Sequence, residues 1–487
     1  MSIPSCVVAL DAKACEQARL TRDARFDGLF FTAVRTTGIY CRPVCPAPTA
    51  HARNVEYFPN AAAAAGAGYR PCLRCRPEAA PGTPLTCARS GLVAAALRMI
   101  DAGALDEGSV AQLAGRIGVG ERHLRRLFVD DLGAGPLEIA ATRRLLFAKK
   151  LLTETNLPVT RIAHAAGYAS LRRFNSAFLA GYGRAPRDLR RDESGTSASS
   201  ALSLRIPFRA PYDFHALLAF FARRAIAGLE RVEARGYTRR FALDGKAGTL
   251  RVSKMRAADT LALDVDFADT SRLQTICARV RRLFDVDADI AAIDAQLARD
   301  PRLRAFVRRH PGQRLPGGWD GFEIAVRAVL GQQISVAAAR TLAARLLDRF
   351  GEPATLPNGE NFRLFPAPEV LADADLTQIG LPRTRAATLN TIACAVADGV
   401  VDFRPEQSLD GFVASWCELP GIGAWTAHYM AMRAMSHPDA FPAADLVLRK
   451  MLGAGGTLPS ARAVEALAEH WRPWRAYAVM HLWRNSI

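Results

Sequence analysis

Two groups of residues could carry chemistry. The first is an acid near a glycine turn. Leu419-Pro420-Gly421-Ile422-Gly423 precedes the helical pattern of Ala424 to Met435, and Asp445 follows Gly423 by twenty-two residues, in the otherwise uncharged run Ala440 to Leu448. The spacing predicts a helix ending at Pro420, a tight glycine turn and a second helix starting at once. Unpaired amides of Gly421 to Gly423 at that helix N-terminus could hold a phosphate. Apolar Ile422 would plug the turn into the core. Asp445 is expected to face a nearby pocket without a partner; the plain alternative is a helix Asp acting only on its own dipole. The second group is four thiols, Cys41-x3-Cys45 and Cys72-x2-Cys75. Two close pairs suit tetrahedral zinc held by four thiolates, and on spacing alone a structural staple explains them.

The elements that must position these groups need several domains. At 487 residues the chain is long enough for about three, at one per ~150 residues. The formal charge is +17, and residues 1–191 hold 27 Lys+Arg against 15 Asp+Glu. Such a balance favours a polyanionic partner. There is no long uncharged apolar stretch and no basic-plus-apolar leader, so a cytoplasmic protein with no membrane partner is expected. The ten cysteines then read as thiols or metal ligands. Cys6, Cys15, Cys87, Cys277, Cys394 and Cys417 have no partner pattern and read as ordinary thiols. The fold class is multidomain α+β. Residues 1–85 form a small zinc-bound α+β domain and 86–191 an all-α tandem helix-turn-helix domain. A polar linker, 192–201, leads to an α+β subdomain, 202–288, and a mostly helical domain, 289–487.

In the second segment, Ser109 to Ala114, the turn Gly118-Val119-Gly120 and Glu121 to Val129 make one helix-turn-helix. The plan repeats over Val159 to Ala166, Gly167-Tyr168-Ala169 and Ser170 to Leu179. The second helices carry His123, Arg125 and Arg126, and Arg172 and Arg173, as recognition helices entering a major groove would. With the closing Gly181-Tyr182-Gly183-Arg184-Ala185-Pro186, this segment resembles the AraC-type DNA-binding domain. That resemblance implies promoter DNA as a partner, with RNA polymerase beyond it.

Leu-Pro-Gly-Ile-Gly with its downstream Asp resembles the helix-hairpin-helix DNA glycosylase superfamily. The segments Leu204 to Asp213, Ala328 to Val336 and Trp474 to Trp483 resemble bacterial 3-methyladenine DNA glycosylase II. The resemblance implies a flipped alkylated purine in a pocket lined by Trp425, Tyr429 and Trp483, with Asp445 steadying the sugar cation. It makes Gln333 the side chain that fills the gap left in the duplex, where some relatives have an apolar residue. Lyases of the superfamily carry a lysine where Trp425 stands, so an enzyme that leaves the strand uncut is expected. No cysteine follows Cys417, so no iron–sulfur cluster is expected.

Phe30 to Pro43 and Tyr69 to Pro77 resemble the N-terminal domain of the Ada family of adaptive-response methylation repair proteins. This implies that Cys41 accepts a methyl group from a DNA phosphotriester while bound to zinc. Zinc keeps thiols ionised, and four thiolates leave a net charge of about −2 that repels a phosphate backbone. Methylation removes one negative charge, so DNA affinity should rise. Thr37, Arg42, Arg70, Arg74 and Arg76 would be phosphate contacts, or else solvated surface groups. The leading reading combines a methyl-accepting sensor, a transcription activator and a glycosylase. One alternative is a regulator whose glycosylase half only binds damaged DNA; another is a zinc-stabilised binder without methyl transfer.

Overall fold

The computed structural model describes residues 11–81, 91–190, 202–256, 259–356, 358–404, 407–453 and 457–486. The linker 192–201, Cys6 and Cys87 lie outside the described residues. The chain divides into two compact units: Met1–Arg209 with Ala257–Ala278 and Val286–Ala288, and Ala210–Arg256 with Arg279–Asp285 and Asp289–Ile487. No helix among the described residues is long and apolar enough to cross a membrane.

In the first unit, a four-stranded sheet runs in the order Val55–Phe58, Phe31–Val34, Ile39–Cys41, Arg70–Pro71. The first three strands are antiparallel, and Arg70–Pro71 lies parallel to Ile39–Cys41 with Tyr40 opposite Pro71. This register puts Cys41, at one strand end, beside Cys72, which follows the other. Gly38, at φ +65°, makes the turn into Ile39–Cys41. Phe31, Ala33, Tyr40, Ala61 and Ala64 pack beneath the sheet.

The helix-turn-helix units follow their sequence signals. Ser109 and Gln112 cap the helix Val110–Ile117 reciprocally, and Gly118 ends it at φ +81°. Gly167 takes the equivalent place, also at φ +81°, and Ser170 caps the helix Leu171–Tyr182. Each second helix buries one stripe at four-residue spacing: Leu124, Phe128 and Leu132, then Phe174, Phe178 and Tyr182. The helix Pro136–Glu154 carries Lys149, Lys150 and Glu154 inward. Lys149 pairs with Glu78, and Arg76 bridges Glu78 at 3.1 Å and Glu154 at 3.0 Å. The segment just after Cys75 is thus tied to the helical part of the same unit by buried ions. Asn60 Nδ2 adds a hydrogen bond to the Leu132 carbonyl at 2.6 Å.

The second unit has a meander, Glu230–Glu233, Gly236–Leu243 and Lys246–Lys254, packed with helices that extend to Arg475–Asn485. Its core holds a network of buried charges: Arg327 pairs with Glu230 at 2.5 Å and Glu323 at 2.6 Å, and Arg239 pairs with the same two acids. The helical expectation after Ile290 is corrected at one place. Glu352–Thr355 and Asn361–Leu364 form a hairpin, where a proline, a glycine and asparagines break the helical pattern.

Candidate active site and metal centre

The glycine turn joins the helix Leu409–Cys417 to Ala424–Ala434. Gly421 has φ +86°, and a Cβ there would fall 2.1 Å from Thr388 Oγ1, so only glycine fits. Ile422 is buried at 5% exposure, the plug its apolar side chain suggests. One expectation is corrected: the Ile422 amide is not free but donates to the Leu419 carbonyl at 3.1 Å, because the turn closes on itself. The amides of Gly421 and Gly423 have no acceptor among the described residues. Gly423 begins the helix and is exposed, with nothing within 4 Å of where a Cβ would be.

Asp445 also differs from expectation. It has four N–H donors, none of them on a cation. Oδ1 caps the helix Leu446–Leu452 by accepting from Val447 N and Leu448 N, both at 3.0 Å, and also accepts from Trp483 Nε1 at 3.1 Å. Oδ2 accepts from Trp425 Nε1 at 2.9 Å. Arg449 turns away to the Pro459 carbonyl. One carboxylate therefore caps a helix and holds two indoles at once. All four donors are neutral N–H groups, so no cation offsets the carboxylate among the described residues.

Both tryptophans belong to one aromatic wall. Trp425 stacks on Tyr429, with centroids 5.5 Å apart and planes 12° apart, and Trp483 lies against Tyr429 at 6.3 Å with planes at 42°. Trp425 and Tyr429 are four residues apart on one helix face, while Trp483 comes from Arg475–Asn485. All three are half-buried. Gln333 is exposed in the turn before the helix Val336–Phe350, at φ +57°.

Sequence reasoning missed Gln332. Its Nε2 donates to the Gly421 carbonyl and to Thr426 Oγ1, both at 3.1 Å, while its own carbonyl accepts from Arg385 at 2.9 Å. The turn carrying Gln333 is thereby locked to the glycine turn. Its place beside Gln333 in the quoted motif was the signal available. Arg224 and Arg433, which flank Tyr429, carried no such signal.

In the first unit the sulfurs of Cys41, Cys45, Cys72 and Cys75 lie within 4.8 Å of one another, and none is in a disulfide. Cys72 and Cys75 are buried; Cys41 and Cys45 are half-exposed. Four converging thiols with two faces open to solvent fit one tetrahedral metal ion. Around them, Thr37, Arg70 and Arg74 are exposed. Arg42 is held inside, on Asp27 at 2.8 Å and on the Cys75 carbonyl at 3.0 Å, and its amide points to Cys75 Sγ at 3.3 Å. Arg76 is likewise committed to its ion pairs. On the second helices of the helix-turn-helix units His123, Arg125, Arg126, Arg172 and Arg173 are all exposed. Arg125 pairs with Glu121 at 2.6 Å, and Arg126 touches His123 at 3.1 Å.

Four family models match parts of the chain. Residues 14–78 match the metal binding domain of Ada, and 113–192 match a helix-turn-helix domain. Residues 203–320 match the AlkA N-terminal domain, and 326–475 match the HhH-GPD superfamily of base excision DNA repair proteins. A probable bifunctional transcriptional activator/DNA repair enzyme AlkA of Mycobacterium tuberculosis is 42% identical over 97% of this chain and 96% of its own. DNA-3-methyladenine glycosylase 2 of Escherichia coli is 33% identical over 56% of this chain and 94% of its own. Among solved structures, a 3-methyladenine DNA-glycosylase from Archaeoglobus fulgidus shares the fold, with a TM-score of 0.51 at 23% identity, covering 58% of this chain and 97% of that one.

Proposed function

The chain belongs to the family of bifunctional transcriptional activator and DNA repair enzymes of the AlkA type, and from that premise we propose that one cytoplasmic protein senses, signals and removes DNA alkylation. In this reading residues 1–85 accept a methyl group, 86–191 bind promoter DNA and engage RNA polymerase, and 202–487 excise 3-methyladenine-type bases.

Excision breaks the bond between C1′ of the sugar and the base nitrogen. The base keeps the electron pair, and the sugar passes through an oxocarbenium-like state. Asp445 faces that charge, and water adds to C1′. A purine alkylated on N3 or N7 is already cationic and leaves readily; what it needs is extrusion and an aromatic surface, worth about 1–2 kcal/mol per ring when desolvated. Trp425, Tyr429 and Trp483 supply that surface. Gly421 and Gly423 grip the backbone phosphate around the turn that Ile422 anchors, and Gln333 fills the vacated stack. With Trp425 in place of a lysine, the product is an abasic site in an uncut strand. One observation carries this reading: both indole N–H groups of the wall converge on the Asp445 carboxylate. Asp445→Asn should abolish base release from methylated DNA while binding persists. Unchanged release in the variant would remove Asp445 from the chemistry, and no release by the unaltered chain would leave only a damage-binding regulator.

The four thiolates would hold zinc, which supplies ionised sulfur at neutral pH. Cys41 Sγ, half-exposed, would form a bond to the methyl carbon as the phosphotriester oxygen–carbon bond breaks, leaving a phosphodiester. Thr37, Arg70 and Arg74 lie exposed for the backbone, and Arg42 becomes available if Asp27 releases it. His123, Arg125, Arg126, Arg172 and Arg173 face the major grooves. Mass spectrometry after incubation with methylated DNA should find one methyl group on Cys41, absent in Cys41→Ser.

A further inference from the structure

Tyr429 differs from the other two walls of the pocket because its hydroxyl has buried cationic neighbours. Arg433 Nη1 donates to the Tyr429 oxygen at 3.0 Å. Arg433 is itself fixed by the Pro316 carbonyl at 2.5 Å and the Gly317 carbonyl at 3.1 Å. Phe220 has both guanidiniums against its ring, Arg224 at 3.8 Å and Arg433 at 4.6 Å. Neither arginine has a carboxylate within ion-pair distance among the described residues; Glu230 and Glu323 are taken by Arg239 and Arg327.

Two consequences follow from donor and acceptor counting. Arginine only donates, so the Tyr429 oxygen accepts from it and the single phenolic proton must go elsewhere. A phenolate at this position would also be stabilised by the same cations. Burial pushes the phenol up, but Arg433 and Arg224 outweigh it and hold Tyr429 below its ordinary value. The charged groups acting on it are Arg433 on its own helix, Arg224 after the helix Phe214–Ala222, and Arg327 on the helix Gly321–Leu330. Asp445 stands across the wall, on the indoles of Trp425 and Trp483.

We propose that Tyr429 is the proton donor to the departing base, with Arg433 and Arg224 as its positioning residues. The inference rests on the glycosylase reading above. As the C1′–nitrogen bond breaks, its electron pair goes to the base and the phenolic proton passes to a base nitrogen. The phenolate stays against the two guanidiniums. Water forms the new bond to C1′ and gives up a proton to solvent, and solvent returns a proton to Tyr429 once the base has left. Cationic purines need this proton least. Neutral damaged purines, which would otherwise leave as anions, need it most.

The test is single-turnover release of 7-methylguanine, a cationic base, and of hypoxanthine, a neutral one, from duplex DNA. The full chain, Tyr429→Phe and Arg433→Lys are compared from about pH 6 to about pH 10. Tyr429→Phe keeps the ring, so both rates fall through the altered pocket, but hypoxanthine release should fall on the order of 100-fold further, the usual scale of a general acid. Hypoxanthine release by the unaltered chain should decline as pH rises through the phenol, and Tyr429→Phe should lose that decline. Arg433→Lys should move the decline. Equal losses for the two bases in Tyr429→Phe, or no hypoxanthine release by the unaltered chain alongside good 7-methylguanine release, would overturn the proposal and leave the glycosylase reading standing. Release of neither base by the unaltered chain would overturn both.

Discussion

Trp483 donates its indole N–H to Asp445 at 3.1 Å, on the same carboxylate oxygen that caps the helix Leu446–Leu452. Among the described residues the other oxygen takes only the indole of Trp425, at 2.9 Å. The carboxylate is thus oriented by two indoles of the aromatic cluster. Trp425→Phe and Trp483→Phe keep an aromatic face but remove one donor to a charged group, worth about 1.5–3 kcal/mol. Base release under single-turnover conditions should fall about 10- to 100-fold in each. Chemical denaturation should show little loss of stability, because the two helix amides still cap Asp445. A loss of stability matching the loss of rate would mean that the indoles serve the fold alone.

Metal removal should act on the first unit. A four-thiolate site folds with its ion, so chelation under denaturing conditions should release one zinc per chain and leave the unit less stable on refolding. Cys72→Ser, at a buried ligand, should lose the metal. Elemental analysis reads the stoichiometry, and a metal-free protein with an unchanged melting curve would contradict the assignment.

Glu78 and Lys149 pair where both side chains are almost fully buried, at 1% and 3% exposure. Burial lowers the readiness of Lys149 to hold its proton, and Glu78 is its main compensation. Lys149→Met leaves Glu78 with only Arg76, and breaking a buried pair from one side costs about 3–5 kcal/mol. The double variant Glu78→Gln, Lys149→Met should recover much of that loss. Equilibrium unfolding of the unaltered chain, Lys149→Met, Glu78→Gln and the double variant gives the coupling directly; additive losses would show that the pair does not act as one.

Much of this was legible in the sequence because the signals are local. Cys41-x3-Cys45 and Cys72-x2-Cys75 fix two half-sites by spacing, and strand pairing needs only to bring them together. The glycine turn and its φ > 0 residue follow from Pro420-Gly421. Partnerships across long separations were not legible. Nothing in the sequence pairs Gln332 with Gly421, or puts Arg433 and Arg224 against one phenylalanine. The four donors on Asp445 escaped notice because two are indoles from distant helices. The hairpin at Glu352–Thr355 was hidden by its shortness and by Pro353, which sequence patterns count against a strand.

Acid should weaken the second unit through His428. Burial, with help from Arg475, pushes this imidazole down to about 4, against the partial relief of Asp410 and Asp439. Its Nδ1 accepts from the Phe441 amide at 3.3 Å, which only the neutral ring can do. A folded value below the unfolded ~6.5 means that the stabilisation is complete above that pH and is lost as pH falls toward about 4. Denaturation midpoints should therefore decline across that window, and His428→Gln should flatten the decline. An unchanged slope in the variant would place the acid sensitivity elsewhere.

The two glycines of the turn separate fold from binding. Gly421→Ala meets both a positive φ and Thr388 Oγ1 at 2.1 Å, so it should destabilise the unit by more than the ~1 kcal/mol of an ordinary left-handed penalty. Gly423 has φ −100° and open space around it, so Gly423→Ala should fold normally. If a phosphate sits against the Gly423 amide, the added methyl stands in its way. DNA affinity should then fall several-fold at unchanged stability, with a reduced dependence on salt, because one backbone contact is lost. Fluorescence anisotropy at several salt concentrations measures both quantities. Tight binding with the original salt slope in Gly423→Ala would show that the phosphate is held elsewhere.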